Sequence, residues 1–182
     1  MARFTAVALL FIAAVAQAAP VRLTRRQCVD TDVAVDVPDF ASLTYNDVQI
    51  SSGVAGNAAA EANAIFVTPF DGVNRADIPD ETQDAIETLR KAAESAETEL
   101  FNPALDEATG DEKKALQVGK IKNKVLKLTA ESFVLEIKLA KAQADGKDTA
   151  SIQKKLEDEQ TKLAKNVDTD KKSAGQASLP VV

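Results

Sequence analysis

The sequence predicts an all-α protein: an antiparallel helical bundle in which one long helix hairpins onto a shorter one, preceded by an irregular, extended N-terminal segment. Three observations carry that expectation. Apolar residues recur at alternating steps of three and four across the second half of the chain, the spacing of one helix face. A capping-box tetrapeptide, Thr109-Gly110-Asp111-Glu112, stands at the head of the longest periodic run, and Gly146 stands at its foot. Before about Asn74, in contrast, Pro38, Gly53, Gly56, Pro69 and Gly72 punctuate the chain and helical periodicity is poor.

The first 18 residues read as a secretory signal peptide. Arg3 supplies a positive start, Val7 to Val15 is an apolar run too short to span a bilayer, and Ala16-Gln17-Ala18 offers small residues for cleavage between Ala18 and Ala19. Residues 19–26 form a short pro-segment ending in the dibasic pair Arg25-Arg26, a site for a kexin-like protease. Cleavage there would leave Gln27, which can cyclise, at the new terminus, followed by the chain's one cysteine, Cys28. In an oxidising compartment Cys28 has no partner in its own chain, so it is either a free thiol or half of an intermolecular disulfide joining a dimer.

Residues 27–168 are expected to form the helical domain. Val29 to Val37 alternates valine and threonine with aspartate, a strand-like pattern without an obvious partner, and is expected to lie extended over the helices. Ile50, Val54, Ala58, Ala62 and Ile65 suggest a small-residue helix over 50–66, although Gly53 and Gly56 weaken its first turn. Ile86, Leu89, Ala93, Ala96 and Leu100 form the face of a second helix, with Asp77 as its cap, Pro79 in its first turn and Asn102-Pro103 as its end. Val118, Ile121, Val125, Leu128, Ser132, Leu135, Leu139 and Ala142 then mark a helix over about 111–145, interrupted in theme by Ser132 and Gly119. At 1.5 Å per residue it is about 50 Å long. A loop of about three residues at Gly146 returns the chain antiparallel into a helix over about 149–167, whose thin stripe of Ile152, Leu156, Leu163 and Val167 suits an outer position. Residues 169–182, polar with small residues and Pro180, are expected to be a flexible tail.

Composition narrows the function. The 182 residues include no His, no Trp and one Cys, and aromatics make up 4%. No imidazole relay or His-ligated metal is available, and no cofactor or metal site is expected. The 28 acids exceed the 22 bases, for a net charge of −6, and loss of residues 1–26 would make it −10. An acidic chain is a poor partner for nucleic acid, and nothing after the signal segment is expected to enter a membrane. The charges are also segregated. Residues 27–112 carry a net −16 and residues 113–182 a net +6, with Lys113, Lys114, Lys120, Lys122, Lys124 and Lys127 uninterrupted by an acid. This lysine run can be a solvated face packed beside the acidic helix, or a patch for acidic polysaccharide or anionic lipid. Opposite fields favour the first reading.

Carboxylates remain the only acid–base groups. Asp106/Glu107, Asp111/Glu112 and Glu157/Asp158/Glu159 are adjacent in sequence, and neighbours on a helix do not face one site, so no catalytic residue is assigned and the chain is not expected to be an enzyme. Asp145-Gly146-Lys147-Asp148 lacks the ligand alternation of a calcium loop and reads as a helix–helix turn. Asn-x-Ser/Thr sequons are absent.

Three blocks carry a resemblance. Residues 40–64 (FASLTYNDVQISSGVAGNAAAEANA), Phe101-Asn102-Pro103-Ala104-Leu105 and residues 119–128 (GKIKNKVLKL), together with Gly146-Lys147-Asp148-Thr149, resemble fungal small secreted proteins. Among these the chain is most similar to the conidial cell wall protein A type. The resemblance implies a secreted, non-catalytic protein of the spore surface that masks underlying wall polymers from host immune recognition. It implies non-covalent contact with cell wall components and supplies no catalytic residue. Two rivals stand beside it: a diffusible effector that binds a host protein, and a carrier of an apolar ligand between the helices.

Overall fold

The structure, a computed structural model, describes residues 37–181. The signal cleavage site at Ala18 and Ala19, the dibasic pair, Gln27, Cys28 and nearly all of the valine–aspartate alternation lie outside the described residues.

The N-terminal part is irregular, as the glycines and prolines dictate. A 3₁₀ turn at Phe40–Ser42 is capped by Asp39, whose carboxylate accepts the Ala41 N–H at 3.2 Å. Helix α1 (Tyr45–Val48) follows a Thr44 whose N–H and hydroxyl both donate to Asp47, at 2.8 and 2.7 Å. The helix expected over 50–66 is shorter. Gly53 and Gly56 have φ of +82° and +118°, which no right-handed helix contains, so Gly53–Val54 becomes a short strand β1 and helix α2 spans Ala58–Phe66. Two further 3₁₀ turns, Thr68–Phe70 and Arg75–Asp77, lead onward. Asp77 closes the second of these instead of capping a helix, and helix α3 (Asp80–Ser95) starts after Pro79.

Pro103 does not end the helical path. The chain widens into a π turn at Ala96–Phe101, with the Asn102 N–H donating to the Glu97 carbonyl, and continues as helix α4 (Asn102–Glu107). The wider turn lets a residue without an N–H enter the helix with less clash against the preceding turn. It also shifts the register. Leu100, expected in the core, is 43% exposed, and Phe101 takes its place at 0%.

Helix α5 (Gly110–Ala144) has 35 residues and organises the fold. Thr109 stands at its N-cap in extended conformation, but its side chain makes no capping bond, because Gly110 enters the helix at φ +58° and spoils the geometry of the box. At the far end the Gly146 N–H donates to the Gln143 carbonyl and the Lys147 N–H to the Ala142 carbonyl, the pair of bonds that stops a helix at a glycine. Helix α6 (Ala150–Lys172) returns along α5, and its stripe residues Ile152, Leu156, Leu163 and Val167 are half-buried, as suits an outer position.

The C-terminal residues are the largest correction to the expected domain plan. Helix α6 continues to Lys172, past the expected end near 167, and residues 173–181 fold back over the body instead of forming a flexible tail. Strand β2 (Ala177–Ser178) pairs antiparallel with β1, Gly53 opposite Ser178 and Val54 opposite Ala177.

The main core is an apolar cluster between α2, α3 and the middle of α5, and a smaller cluster of Leu105, Ala108 and Leu116 lies where α4 meets α5. Phe66, Ile86, Val125, Leu126, Phe133 and Ile137 are all within 1% of complete burial. Four phenylalanines stack through it: Phe40 lies 6.1 Å from Phe66 and 5.8 Å from Phe70, and Phe70 lies 5.1 Å from Phe133. Each such side chain contributes roughly 1.5–3 kcal/mol by burial, with aromatic contacts adding to it. Arg75 covers the rim, its guanidinium 4.6 Å from the Phe133 ring centroid.

Candidate functional site

The chemistry of the molecule gathers at the N-terminal third of α5, where buried polar groups replace apolar volume. Lys122 is the central one. Its spacing from Val118 and Val125 puts it on the inward stripe, and its side chain is 1% exposed. The ammonium donates to the carbonyls of Ser52 (2.9 Å) and Val54 (3.2 Å), and the Glu61 carboxylate stands 2.9 Å away. An ammonium has three donors, so this set answers a charge that burial would otherwise penalise heavily. The expectation of a wholly solvated lysine run therefore fails at Lys122.

Asn123, fully buried, ties three further segments. Its amide nitrogen donates to the Ala93 carbonyl at 2.8 Å, and its oxygen accepts the Tyr45 hydroxyl at 2.9 Å. Burial pushes the Tyr45 phenol above its ordinary pKa, with Ser51 partly offsetting it. Asp170, at the end of α6, accepts the Ala58 N–H at 3.0 Å and so caps α2 across 112 residues of chain.

Gly119 completes this end. The C-terminal segment crosses α5 here, with the Leu179 N–H donating to the Ala115 carbonyl at 3.0 Å. A Cβ on residue 119 would overlap the Leu179 carbonyl and come within 3.2 Å of the Phe101 ring. The glycine that looked like an interruption of the stripe is the only residue type that admits the crossing. The Ser178 hydroxyl donates to the Ser51 carbonyl, and the Ala55 N–H to the Gln176 carbonyl at 3.0 Å, so the loop at 51–56 and the tail are fastened together and to α5.

Beside this lock runs an open groove of about 600 Å³ between the first turns of α5 and the last turn of α6. Val118 and Ile121 lie at its floor, and Lys113, Lys114 and Gln117 line its α5 side. Thr169, Ser173 and Gln176 make the opposite wall.

Of the other lysines in the run, Lys124 and Lys127 meet the acidic helix, whereas Lys113, Lys114 and Lys120 do not. Lys124 and Lys127 both reach Glu97 at 3.0 Å, and Lys141 reaches Asp80 at 2.5 Å. Burial raises the Glu97 carboxyl, but the hydrogen bonds and charges of Lys127 and Lys124 outweigh it and hold the group below its usual range. Glu136 is the opposite case: burial holds it above that range, and Arg75, 3.8 Å away, only partly compensates.

The carboxylate pairs weighed in the sequence are dispersed. Asp106, Glu107, Asp111 and Glu112 are exposed, and so are Glu157 and Asp158; Glu159 is buried and bonded to Lys162 at 2.8 Å. Phe40, Phe66, Phe70, Phe101 and Phe133 are all in the interior. Among the described residues no group of three or more His, Cys, Asp or Glu is placed to hold a metal ion, and no helix is long and apolar enough to cross a membrane.

No curated protein and no solved structure matches the chain. A family model described as a domain of unknown function, DUF8454, matches residues 40–182, which covers the phenylalanine stack, the buried lock and the C-terminal crossing alike. The chain belongs to the DUF8454 family.

Proposed function

We propose that the protein is a non-catalytic secreted component of the fungal spore wall that covers underlying wall polymers and hides them from host immune recognition. The observation that carries this reading is the lock on α5. Lys122, Asn123 and Gly119 fasten the segment at 51–56 and the C-terminal strand to the central helix without a disulfide. A coat protein needs a body that persists outside the cell, and buried hydrogen-bonded ties between distant segments favour one arrangement of the chain. The signal-like N-terminus and the excess of acids support export and a hydrated, negatively charged layer.

Deletion of the gene tests it. Intact spores lacking the protein should stain more strongly with a lectin or a glucan-specific antibody than the parent, and washed parental spores should retain the protein. Unchanged staining sinks the masking role. Recovery of the protein in culture filtrate alone favours the diffusible effector.

A further inference from the structure

We infer that the groove between the first turns of α5 and the last turn of α6 is a binding site for a single-chain anionic amphiphile of the fatty-acid class. Two features define the ligand. Val118 and Ile121 give the groove an apolar floor, and the stretch of α5 from Gly110 to Ile121 is about 16 Å long, matching an extended chain of about twelve carbons. The rim is cationic. Lys113 makes no ion pair among the described residues, and Lys114 meets only Asp111, in a pair exposed at 76% and 97% that holds it weakly. An alkyl chain on the floor would place its carboxylate beside the Lys113 and Lys114 ammonium groups, the complementarity that an uncharged lipid lacks. The far wall includes Ser173 and Gln176, which flank the turn into the C-terminal crossing, so a bound chain would also bridge that turn to α5. This site is independent of the wall-coat reading: either can fail alone.

The test titrates the full chain, as its host cell makes it, with dodecanoate below its micelle concentration and with dodecanol as the uncharged control. Calorimetry and native mass spectrometry give the readouts. Saturable binding of one dodecanoate per chain is expected, with dodecanol at least tenfold weaker and with slower proteolysis at the 173–176 turn when dodecanoate is bound. The double variant Lys113→Glu/Lys114→Glu should weaken dodecanoate at least tenfold while leaving the melting temperature unchanged, because both side chains are exposed. Ile121→Asn should weaken both ligands. No saturable binding overturns the inference, as does equal affinity for the alcohol or binding indifferent to these variants. A lipid-free dimer dissolved by the lysine variants would give the groove to a second copy and would also overturn it.

Discussion

The two halves of α5 are held in place by different physics. Around Phe133 the helix is gripped by apolar volume: the phenylalanine stack, Ile86 and Ile137 exclude water and need no directional bond. Around Lys122 the same helix is also gripped by hydrogen bonds to segments distant in sequence, beside the buried Val118 and Val125. Burial is non-directional and tolerates repacking, whereas a buried ammonium is tolerable only with its particular partners in place. The Phe133 half therefore supplies most of the stability, and the Lys122 half decides where the 51–56 segment and the C-terminal strand go.

The comparison is broken most directly by Phe133→Ala, which should cost about 3–5 kcal/mol in urea denaturation by leaving a cavity in the stack. Lys122→Ala should cost about 3 kcal/mol, because it leaves two carbonyls and a carboxylate without their buried partner. Lys122→Met is the sharper form: if volume held this end too, methionine would restore stability, and we expect it to restore little. Hydrogen exchange at Val54 and Ala55 should accelerate in both Lys122 variants. A Met variant as stable as the parent would erase the distinction between the two halves.

Gly119→Ala comes next. The methyl must lift the Leu179 carbonyl away, for a net loss of about 1–2 kcal/mol after a helix-propensity gain of about 1 kcal/mol. In a chain truncated after Gln176 the sign should reverse, with alanine the more stable by up to about 1 kcal/mol, because the overlap with Leu179 has gone and only the 3.2 Å approach to Phe101 opposes the propensity gain. The cycle of both changes isolates the crossing from the helix.

The smallest effects are in acid. Glu97 has its pKa lowered by folding, so its ion pairs stabilise the protein above the unfolded pKa and are lost as pH falls through the folded one. Glu136 has its pKa raised, so it opposes folding at neutral pH and ceases to do so once protonated. Melting curves across the carboxylate range should show a shallower acid limb for Glu97→Gln and a steeper one for Glu136→Gln.

What the sequence disclosed divides along the same line. The length of α5, its stop at Gly146 and the outer placement of α6 follow from periodicity and local hydrogen bonding, which a linear pattern records. The lock does not. Lys122 sat within a lysine run that resembled a wetted face, and only its step of four from Val118 and three from Val125 marked it as inward. Gly119 read as a flaw in a stripe because its reason, the Leu179 carbonyl, lies 60 residues away in the chain. The π turn was hidden for a related reason: Pro103 signals a helix end, and a widened turn that lets the chain pass depends on Phe101 finding the core. The groove is likewise absent from any single segment, since its floor and its far wall come from α5 and from the end of α6.

The C-terminal crossing has a consequence for biosynthesis. The α5–α6 hairpin can assemble as soon as residues 110–172 are available, but the seat at Gly119 stays vacant until the segment around Leu179 has left the ribosome. Closure thus follows formation of the hairpin, and a nascent molecule stays unlatched until Leu179 is free to reach α5.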